Sequence, residues 1–224
     1  MLVLTNGPAA NVTAPADPRV GWQFVASNGP YTACARRVFA SVQHVGGFVE
    51  PVYRGHLYHI ERLIEPPGSD LRLLVVTEDL PAWAPIYRPN TNEWKTTLTN
   101  VWIVAGGAGT GQMVPPDYYW GGQESKRLRW SSSGDCYLVP ANGYYVWRSD
   151  KAGAADGDSG YAVFTDDTQY IGPIQWGRNP VTVGLHQSGG ILLANYLSWF
   201  PPDTAPPKPP EPKTPGPVSI TVGP

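Results

Sequence analysis

Asp156-Gly157-Asp158-Ser159-Gly160 is the stretch on which the reading of this chain turns. Glycines at 157 and 160 let the backbone bend tightly and keep a Cβ away from an approaching ligand. Such a turn can aim the amides of Gly157 and Ser159 at one point. Two donors so placed stabilise the negative oxygen of a tetrahedral intermediate. A serine hydroxyl is a weak nucleophile on its own. It needs a base, and the base needs a carboxylate to orient it. His44 closes the strand-like run Phe39-Ala40-Ser41-Val42-Gln43. Asp70 opens Asp70-Leu71-Arg72-Leu73-Leu74-Val75-Val76, a carboxylate followed by a strand pattern. Asp79 and Glu65 compete for the role of the acid, but the apolar run after Asp70 favours Asp70.

Composition supports a fold that could carry such a site. The 224 residues are 42% apolar and 15% charged, with nine Trp and twelve Tyr, enough to bury a core. A net charge of −2 provides no electrostatic footprint for nucleic acid or an anionic membrane. Gly and Pro number 25 each, which disfavours long helices and favours short strands joined by turns. No apolar run is long enough to span a bilayer as a helix, and Met1–Asn6 lacks the pattern of a signal peptide. Two cysteines, Cys34 and Cys136, make neither a disulfide framework nor a metal cluster; they form one bridge or stay as two buried thiols, and low cysteine usage favours the thiols. Asn11-Val12-Thr13 is a glycosylation sequon that matters only in a secreted protein.

The periodicity predicts an all-β chain of about six strands on either side of a Pro-rich middle, Leu80 to Asn90. Strands are expected over Val20–Ala26, Ala35–Val42, Leu57–Ile64, Leu71–Thr77, Val101–Val104, Cys136–Val139, Tyr144–Trp147, Tyr161–Phe164, Tyr170–Gln175 and Val181–Leu185. Asn142-Gly143 predicts a tight hairpin, and Thr165-Asp166-Asp167-Thr168 another turn. The expected organisation is an arm over 1–18, a first barrel over 19–95, a second over 96–200 and a tail over 201–224. Residues 201–217 hold nine prolines and predict an extended linker or a docking peptide for a Pro-binding module.

With these residues in order, the chain resembles the trypsin-like (chymotrypsin-fold) serine proteases. Gly-Asp-Ser-Gly surrounds the serine, Asp-Leu-x-Leu-Leu starts at the acid, and a small-residue strand ends at the histidine. The resemblance covers roughly residues 20–200. It implies two six-stranded antiparallel β-barrels with the active site between them, His44 and Asp70 from the first and Ser159 from the second. An α/β-hydrolase fits less well: position 161 is Tyr where its elbow carries Gly, and Ser159, Asp166 and His186 lie too close together in sequence.

The departures point to a branch. No Ile-Val-Gly-Gly start is present, so Asp158 must find a partner other than a new amino terminus, or brace its own turn. Gly153 stands where trypsins carry the acid that binds Lys or Arg. Val183-Gly184-Leu185-His186 looks like the Gly-x-His segment of viral 3C-like proteases, including the serine branch of sobemovirus and arterivirus type. There the histidine hydrogen-bonds a Glu or Gln side chain at P1, as an imidazole N–H can. Gly184, Leu185 and His186 are therefore expected to bind substrate, with Val181–Leu185 pairing an extended peptide. Ala154 occupies the position of a helping Thr or Ser, and Asn195 is the candidate replacement.

The resemblance thus implies a serine endopeptidase cutting a polypeptide, its own polyprotein first, after Glu or Gln. It requires no cofactor. Location in a host cytoplasm follows if the chain is viral, and secretion if it is instead a bacterial trypsin-like protease. A silent β-barrel binding peptide or RNA, and a structural β-sandwich, are the readings outside enzymology. Glu124-Ser125 is a candidate self-cleavage bond. His56 and His59 lack further ligands for a metal. Gly106-Gly107-Ala108-Gly109-Thr110-Gly111 lacks the Lys-Ser/Thr of a phosphate loop. Lys126-Arg127-Leu128-Arg129-Trp130 is expected to be a solvated basic strand edge.

Overall fold

A computed structural model describes residues 3–4, 11–90, 96–106, 111–113, 118–120, 128–132, 134–149, 152–154, 157–182 and 185–202. Eighteen strands appear among them: β1 (Val3–Leu4), β2 (Thr32–Ala35), β3 (Val38–Val42), β4 (Val52–Tyr53), β5 (His56–Leu57), β6 (Ile60–Ile64), β7 (Leu71–Val76), β8 (Thr96–Leu98), β9 (Trp102–Ala105), β10 (Gly111–Met113), β11 (Tyr118–Trp120), β12 (Arg129–Ser132), β13 (Cys136–Val139), β14 (Tyr144–Ser149), β15 (Ala152–Gly153), β16 (Ala162–Phe164), β17 (Tyr170–Thr182) and β18 (Leu185–Ile191). Helical structure is confined to short 3-10 turns among the described residues. Every named strand pair is antiparallel. The all-β expectation therefore holds, and the curled sheets form a chymotrypsin-like β-barrel fold.

Two sheets carry the architecture. The first runs β2-β3-β7-β6, with the β4–β5 hairpin beside it. The second runs β12-β9-β16-β17-β18-β14-β13-β8, so eight strands join in one ladder. In the first sheet alternate residues of β3 and β7 serve two cores. Val38, Ala40, Val42, Leu71 and Leu73 enter one continuous core with Val104, Trp147 and Ile174 of the second sheet and with Tyr161 just before β16. Phe39, Leu74 and Val76 point the other way, onto Tyr31, Tyr53, Tyr58 and Leu80. Phe39 meets the Tyr53 ring edge-on at 5.6 Å and Tyr58 at 6.0 Å. Replacing this fully buried Phe39 by alanine is expected to destabilise the protein by about 3–5 kcal/mol, read as a lower denaturant midpoint.

The Pro-rich middle ties the sheets together, as a crossover should. Ala84 N donates to Ala33 O at 3.0 Å on the first sheet. Tyr87 N donates to Tyr170 O and Tyr170 N to Pro85 O, at 2.9 and 2.7 Å, on the second. The amino-terminal segment also engages the second sheet: Trp130 Nε1 of β12 donates to Thr13 O at 3.0 Å. β1 pairs with β15 in a separate two-stranded sheet.

Several local expectations need correction. Val20–Ala26 is not a strand. It forms 3-10 turns over Pro18–Val20 and Trp22–Phe24, because Asp17 caps the first through Arg19 N and Pro18 starts it. Gly21 then turns the chain at φ 80°, where a Cβ would strike the Phe164 ring at 2.5 Å. Ala35–Val42 divides into β2 and β3 around Arg36-Arg37, and Leu57–Ile64 into β5 and β6. The loop holding Asn142-Gly143 is longer than two residues, since Val139 pairs with Tyr144 across the 3-10 turn Pro140–Asn142. Arg129 is no solvated edge: it is wholly buried in β12. Glu124-Ser125, most of the glycine-rich loop and the Pro-rich tail beyond residue 202 lie outside the described residues.

Candidate active site

His44 sits in a single 3-10 turn, Gln43–Val45, at the end of β3. Asp70 immediately precedes β7. The antiparallel pairing of these strands, Val42 opposite Leu71, brings the two residues together. Asp70 Oδ2 lies 2.5 Å from His44 Nδ1, and Asp70 Oδ1 accepts from His44 N at 3.0 Å. With Asp70 ionised, Nδ1–H is the donor. Nε2 is then the free, basic nitrogen of a ring whose side chain is 48% exposed, against 18% for Asp70.

The turn continues to be pinned on both sides. Gln43 N donates to Asp70 O at 2.7 Å. Arg72 Nη1 donates to Gly46 O at 3.0 Å and Nε to Glu65 Oε1 at 2.7 Å. Glu65, the rival acid, is therefore engaged with Arg72, and Asp79 with Arg36. Past the turn, Val49 N donates to Tyr31 Oη at 3.0 Å, and Asn28 Nδ2 to Glu50 O at 2.9 Å.

Ser159 approaches from the second sheet. Gly157 and Gly160 have φ of 87° and 86°, values that L side chains rarely adopt, and they set the turn around the serine. Gly160 N donates to Ile174 O, and Ile174 N to Tyr161 O, both at 2.7 Å, which hangs the turn on β17. A Cβ on Gly160 would lie 2.6 Å from Ser41 Oγ and 3.0 Å from Pro30 Cβ. The serine turn thus abuts β3, three residues before His44. Asp158 is wholly buried. Burial pushes the Tyr161 phenol up, and the Asp158 charge adds to the shift.

Ser159 Oγ donates to Gln175 O at 3.4 Å. Gln175 falls at the register shift between Ile174 and Trp176, where the β17–β18 ladder slips, so its carbonyl faces the serine. Among the described residues no hydrogen bond joins the hydroxyl to His44. On its other edge β17 pairs with β16 as far as Pro173, and Ile174 then bonds Gly160 and Tyr161.

The remaining candidates scatter. Ala154 N donates to Ser188 Oγ at 3.0 Å, which joins the segment before the serine turn to β18. Leu185 and His186 are in β18, His186 opposite Ser149 and two residues from Ser188. Gly184 and Asp156 lie outside the described residues. Asn195 Nδ2 donates to Pro140 O at 2.6 Å, at the β13–β14 turn. That turn is at the opposite end of β14 from Ser149, about 17 Å along the strand, so Asn195 and His186 are not brought together.

Sequence reasoning missed Ser41, Gln175 and Ser188. None carries a motif; each acts through a contact between segments far apart in the chain. Cys34 and Cys136 are free and buried, and burial pushes both thiols up. His56 and His59 pair with Glu78 and Glu50 at 2.9 Å, and the Glu50 hydrogen bond raises the His59 pKa. Among the described residues no cluster suits a metal ion, and no helix is long and apolar enough to cross a membrane.

No protein-family model matches the chain, and no curated protein matches its sequence. Solved structures do resemble it. Neuropsin, a serine protease expressed in the limbic system of mouse brain, matches with 13% identity and a TM-score of 0.48 over 75% of this chain and 85% of its own. The passenger domain of plasmid encoded toxin, an autotransporter enterotoxin of enteroaggregative Escherichia coli, matches with 13% identity and a TM-score of 0.52 over 76% of this chain. This chain spans 21% of that passenger domain's length. The likeness to the passenger domain is one of fold.

Proposed function

We propose that this chain is a serine endopeptidase. The observation that carries the reading is the His44–Asp70 couple at the end of β3, with the Gly157–Gly160 turn abutting the same strand. On this reading Ser159 Oγ turns from the Gln175 carbonyl toward His44 when substrate binds; catalytic hydrogen bonds commonly tighten only then. His44 Nε2 takes the hydroxyl proton as Oγ attacks the peptide carbonyl, and later returns it to the leaving amine. Asp70 holds the imidazole tautomer and stabilises its charged form. The amides of Gly157 and Ser159 receive the oxyanion.

The substrate would lie as an added strand on the edge of β17 past Ile174, beside Ser159. The expected pairing segment Val181–Leu185 instead spans the end of β17 and the start of β18. Walls for the P1 side chain would come from Ala154 and from β18, the strand that carries Leu185, His186 and Ser188. His186 would select Glu or Gln, as in the viral 3C-like enzymes that process their own polyproteins. Asn195 is occupied at its turn and is not given this task.

A mixed peptide library incubated with the protein tests the specificity. Cuts predominantly after Glu or Gln, lost in His186→Ala, are expected. Cuts after Arg, Lys or large apolar residues would overturn the His186 assignment and leave the peptidase reading standing.

A further inference from the structure

We propose that Gln43 is a positioning residue that clamps Asp70 onto His44. The inference rests on the peptidase reading for its consequence in catalysis, but the clamp itself is a matter of geometry. The Gln43 side-chain amide donates to Ser69 O at 2.9 Å and to Leu71 O at 3.0 Å, the carbonyls on either side of Asp70. Its backbone N donates to the carbonyl of Asp70 itself at 2.7 Å. All three successive carbonyls around the acid are thus held by one residue.

Chemistry fixes which end of the side chain is used. Both neighbours are carbonyl oxygens, so the NH2 group, with its two hydrogens, must face them. A carboxylate or an apolar group cannot take this place without leaving the carbonyls unmatched. Ser69 Oγ adds a bond of its own, accepting from Leu71 N at 3.1 Å.

The clamp matters because Asp70 lies between a turn and a strand. Its carboxylate must meet both His44 N and Nδ1, which demands a fixed backbone at 69–71. Gln43 adjoins His44, so the base and the clamp move as one unit. Releasing Gln43 frees the acid to drift from the imidazole while the β3–β7 ladder, Val38 to Val42 against Val75 to Leu71, stays whole. A displacement of about 1 Å in such a site costs on the order of 10²-fold in rate.

Gln43→Met removes the donors and keeps the length. Gln43→Lys keeps donors on a comparable stem. Two readouts are needed. The first is the downfield NMR resonance of the His44 Nδ1 proton, which reports the bond to Asp70 without turnover. It is expected in the wild type, lost or broadened in Gln43→Met, and recovered in Gln43→Lys. The second is cleavage of the best library peptide: kcat is expected to fall about 10²-fold in Gln43→Met with KM little changed. An unaltered resonance in folded Gln43→Met overturns the clamp, whatever the activity. Absence of cleavage by the wild type, with the resonance behaving as stated, overturns the peptidase reading and leaves the clamp. Should Gln43→Met not fold, Gln43→Asn, too short to reach both carbonyls, carries the same test.

Discussion

Ser159→Ala is expected to abolish peptide cleavage, with kcat down by about 10⁶-fold and the fold unchanged. The size follows from the division of labour. Without Oγ the acyl-enzyme route is closed, and only oxyanion stabilisation and binding remain, worth about 10³–10⁴ over water. The fold should tolerate the change. Ser159 Oγ makes one long bond, 3.4 Å to Gln175 O, and Ala removes it without adding bulk. Thermal unfolding and kcat, measured on one preparation, separate the two effects. Retained cleavage would move the nucleophile elsewhere.

Asp70→Asn is expected to lower kcat about 10⁴-fold at neutral pH. The geometry says why. Asp70 presents two oxygens to His44, one to the backbone N at 3.0 Å and one to Nδ1 at 2.5 Å. Asparagine keeps one acceptor and turns the other into a donor. If its oxygen stays on His44 N, the amide NH2 faces Nδ1 and demands the opposite tautomer. The proton then sits on Nε2, where the base must be free. Steady-state kinetics across pH checks this, and full activity at neutral pH would remove Asp70 from the mechanism.

These effects rest on residues that were legible in the sequence because each carries a local signal. Asp156-Gly157-Asp158-Ser159-Gly160 needs its glycines for positive φ, and Gly157 and Gly160 indeed have it. Asp70 precedes an apolar run, and that run is β7. Cys136–Val139 agrees with β13 residue for residue. The misreadings have a common cause. Val20–Ala26 has strand-like composition, yet a cap from Asp17 and the Phe164 ring against Gly21 decide its shape. Lys126–Trp130 looks exposed from its charges, yet Arg129 sits wholly inside the second sheet. Burial of one Arg depends on partners distant in the chain, which no window of sequence displays.

The site divides in the same way. His44, Asp70 and Ser159 could be named from pattern and order. Gln43 could not: a glutamine beside a histidine reads as surface, and its meaning comes from Ser69 and Leu71 opposite. Nor could the Gln175 bulge, which follows from a slipped register between β17 and β18. The sequence offers Asn195 as a replacement for the missing Thr or Ser, whereas its bond to Pro140 O places it at a turn.

Reaction with a fluorophosphonate, followed by intact mass and peptide mapping, tests the central claim most directly. Such a probe phosphonylates a serine only when its hydroxyl is activated and the oxyanion is received. Stoichiometric labelling of Ser159 is predicted, suppressed in His44→Ala. Folded wild-type protein that stays unlabelled, or carries the label on another residue, would contradict the account.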